Sequence, residues 1–234
     1  MQFTKLKKPV TLSVLFFLPV TFLLFLYPSK HNYVALDIVQ ENIIEVTKSP
    51  DQKLEDHITI LTFYGSNPDK KAISALNLKE LIYDKFKGFK RFQVVSLVGE
   101  DSQDQVTLLK KELFQYEPLE YWHFVHLSES EITNIFNSLN SETSLDSSSA
   151  TDHVFIVDKE RNQRGRLDDR EKHEIEKGEP LFGMPTYNCI EVAELKNKMS
   201  EDMRILFTEY RQKRKGNFDS STRRADDLLN DEKN

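Results

Sequence analysis

The sequence predicts an α/β sandwich, in which a central sheet carries helices on its faces, and three observations support this. Short runs of β-branched and aromatic residues alternate with longer segments whose apolar residues recur at helical spacing. Clusters of Gly, Pro, Asn and Ser separate these segments. The chain has 16 Phe and only 7 Gly residues, a balance typical of a packed domain. The predicted order of elements is β-α-β-α-β-α-β-β-α.

The first core strand, residues 57–63, ends in a turn that contains Gly65 and Pro68. Pro68 suits the first position of a helix that we expect to reach Phe86, because its missing N–H is not needed there. We expect the next strand, residues 91–98, to run parallel to the first because a helix intervenes. The further predicted elements are a helix at 101–116, a strand at 121–127, a helix starting at the capping box Ser128–Glu131, a serine-rich loop at 140–151, a strand at 154–158, a hairpin partner at 163–167 and a charged loop or exposed hairpin at 168–179.

The C-terminal part is predicted to contain the strongest helix, residues 191–215, because its apolar residues recur every three or four positions. These apolar residues are Val192, Leu195, Met199, Met203, Leu206 and Tyr210. The stripe permits pairing with a partner helix, but packing on the chain's own sheet is the favoured interpretation. Residues 216–234 are polar and mixed in charge, and they are predicted to be disordered.

The N-terminal part contains an uncharged run, residues 9–27, preceded by three lysines and no acidic residue. The run is just long enough to cross the hydrocarbon core, so a transmembrane anchor over 9–28 is predicted. The lysines favour a cytoplasmic N-terminus and a periplasmic main domain, in a single-pass inner-membrane protein. A cleaved signal peptide is the alternative, although no Ala-x-Ala site follows the run. The predicted divisions are a basic stub at 1–8, the anchor at 9–28, a tether at 29–55, the domain at 56–190, the helix at 191–215 and the tail at 216–234.

Charge and cysteine content exclude several functional classes. The net charge of −6 becomes −9 when the three N-terminal lysines are left out, which argues against nucleic acid as a partner. Cys189 is the single cysteine, so the chain can form neither an intramolecular disulfide nor a dithiol redox motif. The Cys189 thiol is therefore buried, free or bridged to another molecule, and burial is the simplest of the three.

Several short motifs together resemble the Sco/SenC family of membrane-anchored, thioredoxin-fold proteins associated with copper delivery to cytochrome c oxidase. The resemblance covers about residues 55–170 and is closest to the bacterial members. It is carried by the single anchor, Phe63–Pro68 opening a helix, Lys85–Phe86, Trp122–Val125 before a Glu-Ile helix, Val154–Lys159 and Arg164–Gly165. It implies a thioredoxin-like three-layer sandwich with a mixed sheet.

The same resemblance implies where copper would be bound. The family holds the ion with a Cys-x-x-x-Cys pair on the strand-to-helix loop and a distant His, ligands that suit copper. The two cysteine positions correspond to Asn67 and Lys71 here, and the His position falls on Ala150. All three ligands are absent, so we transfer neither copper binding nor thiol–disulfide exchange to this chain.

Other candidate site residues have simpler structural explanations. His153 lies three positions after Ala150 and starts a strand, where a structural role is the default. His123 and His126 are three apart on a strand and therefore point to opposite faces. The acidic segment that includes Asp168 and Asp169 lacks the ligand spacing of a calcium loop. No catalytic, cofactor-binding or metal-binding residue is predicted.

The function predicted from the sequence is a non-catalytic, membrane-tethered accessory protein in cytochrome c oxidase assembly or copper handling. An intact Sco-like paralogue or an oxidase subunit is the expected protein partner. One alternative is a thioredoxin-like redox protein that uses Cys189 as a single thiol. Another is a scaffold in which the helix at 191–215 pairs with a partner.

Overall fold

A mixed sheet forms the centre of the fold in the computed structural model, which describes residues 3–26, 35–47, 52–114 and 118–214. In these ranges the strands are β1 (Asp37–Gln40), β2 (Ile58–Gly65), β3 (Phe92–Gly99), β4 (Trp122–Leu127), β5 (His153–Val157), β6 (Gln163–Gly165) and β7 (Tyr187–Asn188). The helices are α1 (Phe3–Leu26), α2 (Ala72–Leu78), α3 (Asp84–Phe86), α4 (Gln103–Leu113), α5 (Glu129–Asn137), α6 (Lys172–Glu176) and α7 (Ser200–Arg214). A 3₁₀ turn, Pro68–Lys71, precedes α2, and π-helical turns occupy Lys79–Tyr83 and Glu194–Met199.

The strand order β1-β6-β5-β2-β3-β4, with β7 beside β5, gives a thioredoxin-like mixed sheet. β2, β3 and β4 are parallel neighbours, whereas β5 pairs antiparallel with β2. The predicted parallel pairing of the first two core strands is therefore confirmed, as is the predicted hairpin of β5 with β6. The α/β class predicted from the sequence is correct.

Each face of the sheet has its own apolar core, because successive strand residues point to opposite sides. In β2, Ile58 and Ile60 belong to one core, while Leu61 and Phe63 belong to the other. The first core is covered by side chains of α2, α4 and α7 and of both π-helical turns. The second is covered by α5 and by the segment around Ile43. The helices thus lie on both faces, as a three-layer sandwich requires.

Two compact units divide the chain, Met1–Val34 and Ala35–Asn234. The first contains α1, whose large apolar side chains between positions 12 and 25 are exposed. Among the helices of the described ranges, none combines the length and apolar character needed to cross a membrane. The predicted anchor at 9–28 is therefore not confirmed.

Parts of the predicted tether, residues 29–55, instead belong to the second unit. β1 adds an antiparallel edge strand to β6, and Ile43 and Leu54 are fully buried in the second core. The sequence did not indicate this strand because four residues with alternating burial give too short a pattern. The short helix α6 occupies part of the predicted loop at 168–179.

The predicted helix at 191–215 is a π-helical turn followed by α7. Leu195, Met199, Met203 and Leu206 pack into the first core, so the stripe faces the chain's own sheet. Val192, predicted to belong to this stripe, is instead exposed. The predicted tail at 216–234 lies outside the described residues.

Candidate functional site

The turn after β2 is covered by the segment that precedes β5. This covering loop, residues 140–152, contains the serine-rich segment. Gly65 adopts φ +56°, and a Cβ atom there would lie 1.8 Å from the Ser148 carbonyl oxygen. Only glycine fits this close approach. The Ser66 amide donates to that same oxygen at 2.9 Å, and the Thr151 amide donates to the Phe63 carbonyl at 3.0 Å. These contacts fix the serine-rich loop over the opening of the first helical segment.

Asn67 stands immediately before the 3₁₀ turn and contacts the covering loop. Its side-chain Nδ2 donates to Ser148 Oγ at 3.2 Å. Its side chain makes no capping hydrogen bond to the turn that Pro68 begins. The Asn67 amide group therefore holds two loops together and does not cap the helical segment.

Lys71 closes the same 3₁₀ turn and forms ion pairs with two carboxylates of the covering loop. Its Nζ atom lies 3.2 Å from Asp152 Oδ1 and 3.9 Å from Asp146 Oδ2. Asp152 Oδ1 also accepts a hydrogen bond from Ser74 Oγ at 2.5 Å. Although lysine is a flexible residue, only 14% of this side chain is exposed, so its ammonium group is held in place.

Ala150 lies on the covering loop, between the two carboxylates that bind Lys71. Its amide donates to Asp146 Oδ1 at 3.1 Å, and its carbonyl accepts from the Asp146 amide at 2.9 Å. The Ala150 residue is buried, so a methyl group fills this position. The structure thus brings the three positions predicted from the resemblance, Asn67, Lys71 and Ala150, to one pair of contacting loops.

These three side chains do not fit a copper ion. Copper(I) prefers thiolate and thioether ligands, and imidazole also suits copper. Here the corresponding positions carry an amide, an ion-paired ammonium group and a methyl group. Across the described ranges, no cluster of three or more His, Cys, Asp or Glu residues is arranged to hold a metal ion.

Cys189 is fully buried and contacts the end of the covering loop. Its amide donates to the Asp152 carbonyl at 2.9 Å, and its carbonyl accepts from Asn77 Nδ2 at 2.9 Å. Burial raises the pKa of the Cys189 thiol well above its ordinary value, and the charges of Asp152 and Glu194 raise it further. The thiol is therefore protonated and shielded, which disfavours both nucleophilic attack and metal binding.

The predicted histidine positions form separate local contacts. His153 starts β5, and its Nδ1 atom lies 3.0 Å from Thr186 Oγ1. His126 Nδ1 lies 3.1 Å from the Gly99 carbonyl oxygen. His123 lies opposite Val95 and His126 opposite Val98 in the pairing of β4 with β3. That odd spacing places the two rings on opposite faces of the sheet, as predicted.

The acidic residues considered for a hard cation are paired with the protein's own basic groups. Arg166 Nη1 lies 2.8 Å from Asp169, which also pairs with Lys198. Arg170 Nη2 lies 2.8 Å from Asp168. The carboxylates of Asp168 and Asp169 therefore balance the positive charge of neighbouring basic side chains.

Asp146 and Asp152 were not predicted as site residues, although both contact Lys71. The available signal was their charge, since two acids flank a serine-rich segment and oppose Lys71. Their partner could not be identified from sequence spacing because it lies more than 70 residues earlier in the chain.

Comparison with known proteins gives matches among solved structures. No family model matches the chain, and no curated protein matches it significantly. BsSco, a member of the Sco family of cytochrome c oxidase assembly proteins, is 14% identical, with 75% of this chain and 99% of that one covered and a TM-score of 0.45. Apo Sco1 from Thermus thermophilus is 13% identical, with 76% and 97% covered and a TM-score of 0.42.

A SCO1/SenC family lipoprotein from Bacillus anthracis is 13% identical, with 76% of this chain and 99% of that one covered and a TM-score of 0.41. A yeast mitochondrial 1-Cys peroxiredoxin also matches, at 14% identity, with 70% and 68% covered and a TM-score of 0.38. The solved structures to which the chain is similar thus include several Sco-family proteins, the family that its sequence motifs resemble.

Proposed function

We propose that this chain is a Sco/SenC-like accessory protein that acts by binding another protein, without carrying a metal at the loop after β2. The main supporting observation is the ammonium group of Lys71, which is ion-paired where the family has a thiolate. The context of oxidase assembly or copper handling rests on the motifs Trp122–Val125, Val154–Lys159 and Arg164–Gly165.

Electrostatics support a site that excludes metal cations. A cation at this turn would meet the positive charge of Lys71, with which Asp146 and Asp152 are already ion-paired. Releasing a carboxylate for the ion would require breaking an ion pair with Lys71. The contacts of the turn therefore favour the metal-free state.

A non-catalytic role is part of the proposal. Thiol–disulfide exchange of the Cys-x-x-x-Cys kind needs a second sulfur, which the chain lacks. The alternative role for Cys189, as a single redox thiol, requires an accessible thiolate. Its burial and raised pKa oppose that role.

Membrane attachment with an outward-facing domain also belongs to the proposal, and it rests on the sequence. The uncharged run at 9–27 follows three lysines, and the apolar side chains of α1 between positions 12 and 25 are exposed. Alkaline carbonate extraction of cell membranes tests this part, and we expect the chain to stay in the pellet. Release into the supernatant would contradict it.

Titration with copper(I) against a competing chelator tests the metal-free assignment. We expect no tight site in the full-length chain. The matched comparison is the triple variant Asn67→Cys, Lys71→Cys, Ala150→His, which restores the three ligand types. We expect this variant to retain roughly one ion per chain because the two loops are already in contact.

Two results would contradict the proposal. Near-equimolar copper in the unmodified chain would show that other residues form a site. Failure of a folded triple variant to bind would show that the turn does not have the geometry of a copper carrier.

Deletion of the gene for this chain in its own organism tests the proposed role in oxidase assembly. We expect reduced cytochrome c oxidase activity, restored equally by the unmodified chain and by Cys189→Ser. Loss of rescue with a folded Cys189→Ser variant would favour the redox alternative.

A further inference from the structure

A groove lies at the end of β2 opposite the turn described above. It has a volume of about 710 Å³ and is formed by the start of β2, the segment before β3, the turn after β5 and the end of α7. β2 contains eight residues, so the groove and the turn after Gly65 are separated by roughly 25 Å. The groove can therefore be tested independently of the candidate site.

The floor of the groove is aromatic and partly exposed. The rings of Phe89 and Phe207 have centroids 4.3 Å apart, and Phe207 also stacks on Phe86 at 5.6 Å. Phe89 is 37% exposed, whereas Phe207 is almost buried. An apolar side chain placed against Phe89 would remove this surface from water.

The rim of the groove is strongly basic. Its charged lining comprises five basic residues and a single acid, Glu160, whose carboxylate already accepts a hydrogen bond from the Tyr210 hydroxyl. The five basic residues are Lys90, Lys159, Arg211, Lys213 and Arg214. This local excess of positive charge contrasts with the net charge of −6 for the chain.

The ring of Tyr210 contacts two lysines of the basic rim. The Nζ atoms of Lys159 and Lys213 lie 4.8 Å and 5.0 Å from its ring centroid. Lys213 also pairs with Glu209 at 2.9 Å, while no ion pair is seen for Arg211 or Arg214 in the described residues. The two arginines are therefore available to bind carboxylates.

Lys159, on the basic rim, is half-buried. Its pKa is lowered, mainly by burial and further by Arg91 and Arg214, although Glu160 and Asp56 act in the opposite direction. A bound anion would favour the charged form of Lys159.

We propose that this groove binds an acidic peptide segment of a partner protein, with an apolar side chain of the segment on Phe89 and its carboxylates on the basic rim. Charge complementarity supports an acidic occupant, and the exposed ring supports one that also carries apolar groups. A small inorganic anion would use the rim but not the aromatic floor.

Fluorescence anisotropy with the full-length chain tests the proposal. The probe is a fluorescein-labelled peptide of about a dozen residues in which Glu and Asp alternate with Phe. We expect binding that weakens as salt is added. A second peptide with Ser in place of Phe should bind roughly tenfold more weakly because it leaves Phe89 uncovered.

Charge reversal localises the binding. We expect the double variant Arg211→Glu, Arg214→Glu to weaken binding by roughly tenfold or more. The matched control is Lys111→Glu, Lys196→Glu, which makes the same change in net charge at two exposed residues outside the groove. Phe89→Ala should also weaken binding, and a thermal melt shows whether each variant remains folded.

Five outcomes would overturn the proposal. Equal weakening by both double variants would show that the peptide responds only to overall charge. Absence of peptide binding, or equal binding of the Phe and Ser peptides, would exclude the acidic-aromatic occupant. Binding of anionic phospholipid vesicles, but not peptide, in a manner sensitive to Arg211→Glu, Arg214→Glu would assign the groove to a membrane surface. Peptide binding seen only after deletion of residues 216–234 would assign it to the chain's own tail.

Discussion

At the scale of single residues, Asn67, Lys71 and Ala150 each have a role that does not require a metal. The Asn67 side chain donates to Ser148, Lys71 pairs with Asp146 and Asp152, and Ala150 is buried. The turn is therefore organised by contacts between protein groups.

Substitution of Lys71 tests the strength of its ion pairs. We expect Lys71→Met to lower the free energy of unfolding by about 0.5–1 kcal/mol, because both acidic partners remain partly exposed to water. Urea denaturation measures the change, with the exposed neighbour variant Lys70→Met as the control. A loss several times larger would mean that the pairs are more effectively desolvated than their exposure indicates.

The reactivity of Cys189 gives a second residue-scale prediction. We expect a thiol reagent such as 5,5′-dithiobis(2-nitrobenzoate) to modify native Cys189 at least about tenfold more slowly than the urea-unfolded chain. The reason is that the side chain is buried and its pKa is raised, so little thiolate is present. Equal rates in the two states would contradict the buried position.

At the scale of elements, α5 is the helix whose start was most clearly indicated by the sequence. The capping box at Ser128 and Glu131 is present as predicted. Glu131 N donates to Ser128 Oγ at 3.4 Å, while Ser128 N donates to Glu131 Oε2 at 2.9 Å. Both bonds form within four consecutive residues, so local sequence was sufficient to identify them.

Removing this cap should destabilise the fold in a pH-dependent way. We expect Ser128→Ala to lower the free energy of unfolding by about 0.5–2 kcal/mol at neutral pH. The Ser128 hydroxyl and then its backbone N–H hold the pKa of Glu131 below its ordinary value of 4.5. The stabilisation from Glu131 is therefore complete above that ordinary value and is lost as pH falls through the lowered one.

Urea titrations between about pH 6 and pH 3 measure this difference. The difference in unfolding free energy between the unmodified chain and Ser128→Ala should become smaller as the pH is lowered. A constant gap would show that Glu131 does not contribute to the cap. Thr133→Ala is the control because Thr133 is exposed on the same helix and lies outside the cap.

Other elements show where the sequence was insufficient. β1 and β7 contain four and two residues, and each exists because of pairing with another strand, β6 or β5. Such short segments contain no complete period from which pairing could be inferred. The longer strands β2 and β3 were predictable because seven or more consecutive buried positions are filled mainly by apolar, aromatic and β-branched residues.

At the scale of the whole molecule, Arg164 connects distant parts of the fold. Its Nη1 atom lies 3.0 Å from Asp158, and its Nη2 atom lies 2.6 Å from Glu209 and 2.6 Å from the Leu36 carbonyl. These partners lie after β5, on α7 and before β1. The sequence placed Arg164 in a motif, but its contacts depend on the tertiary arrangement.

Loss of Arg164 should affect the stability of the entire domain. We expect Arg164→Met to lower the free energy of unfolding by about 3–5 kcal/mol, because Asp158 and Glu209 would both remain buried after losing the guanidinium group that pairs with them. Thermal and urea denaturation measure this loss. Arg170→Met, which removes a surface pair with Asp168, should have a much smaller effect. Similar losses in both variants would show that the buried ion pairs of Arg164 stabilise the fold no more than a surface pair does.

The ion-paired Lys71 has a consequence for a cell that also makes a copper-loaded relative. Under the proposed function, the two proteins could meet the same assembly partners, yet this chain would leave the supply of scarce ion untouched. A change in the abundance of this chain would then leave the amount of copper available to the oxidase unchanged.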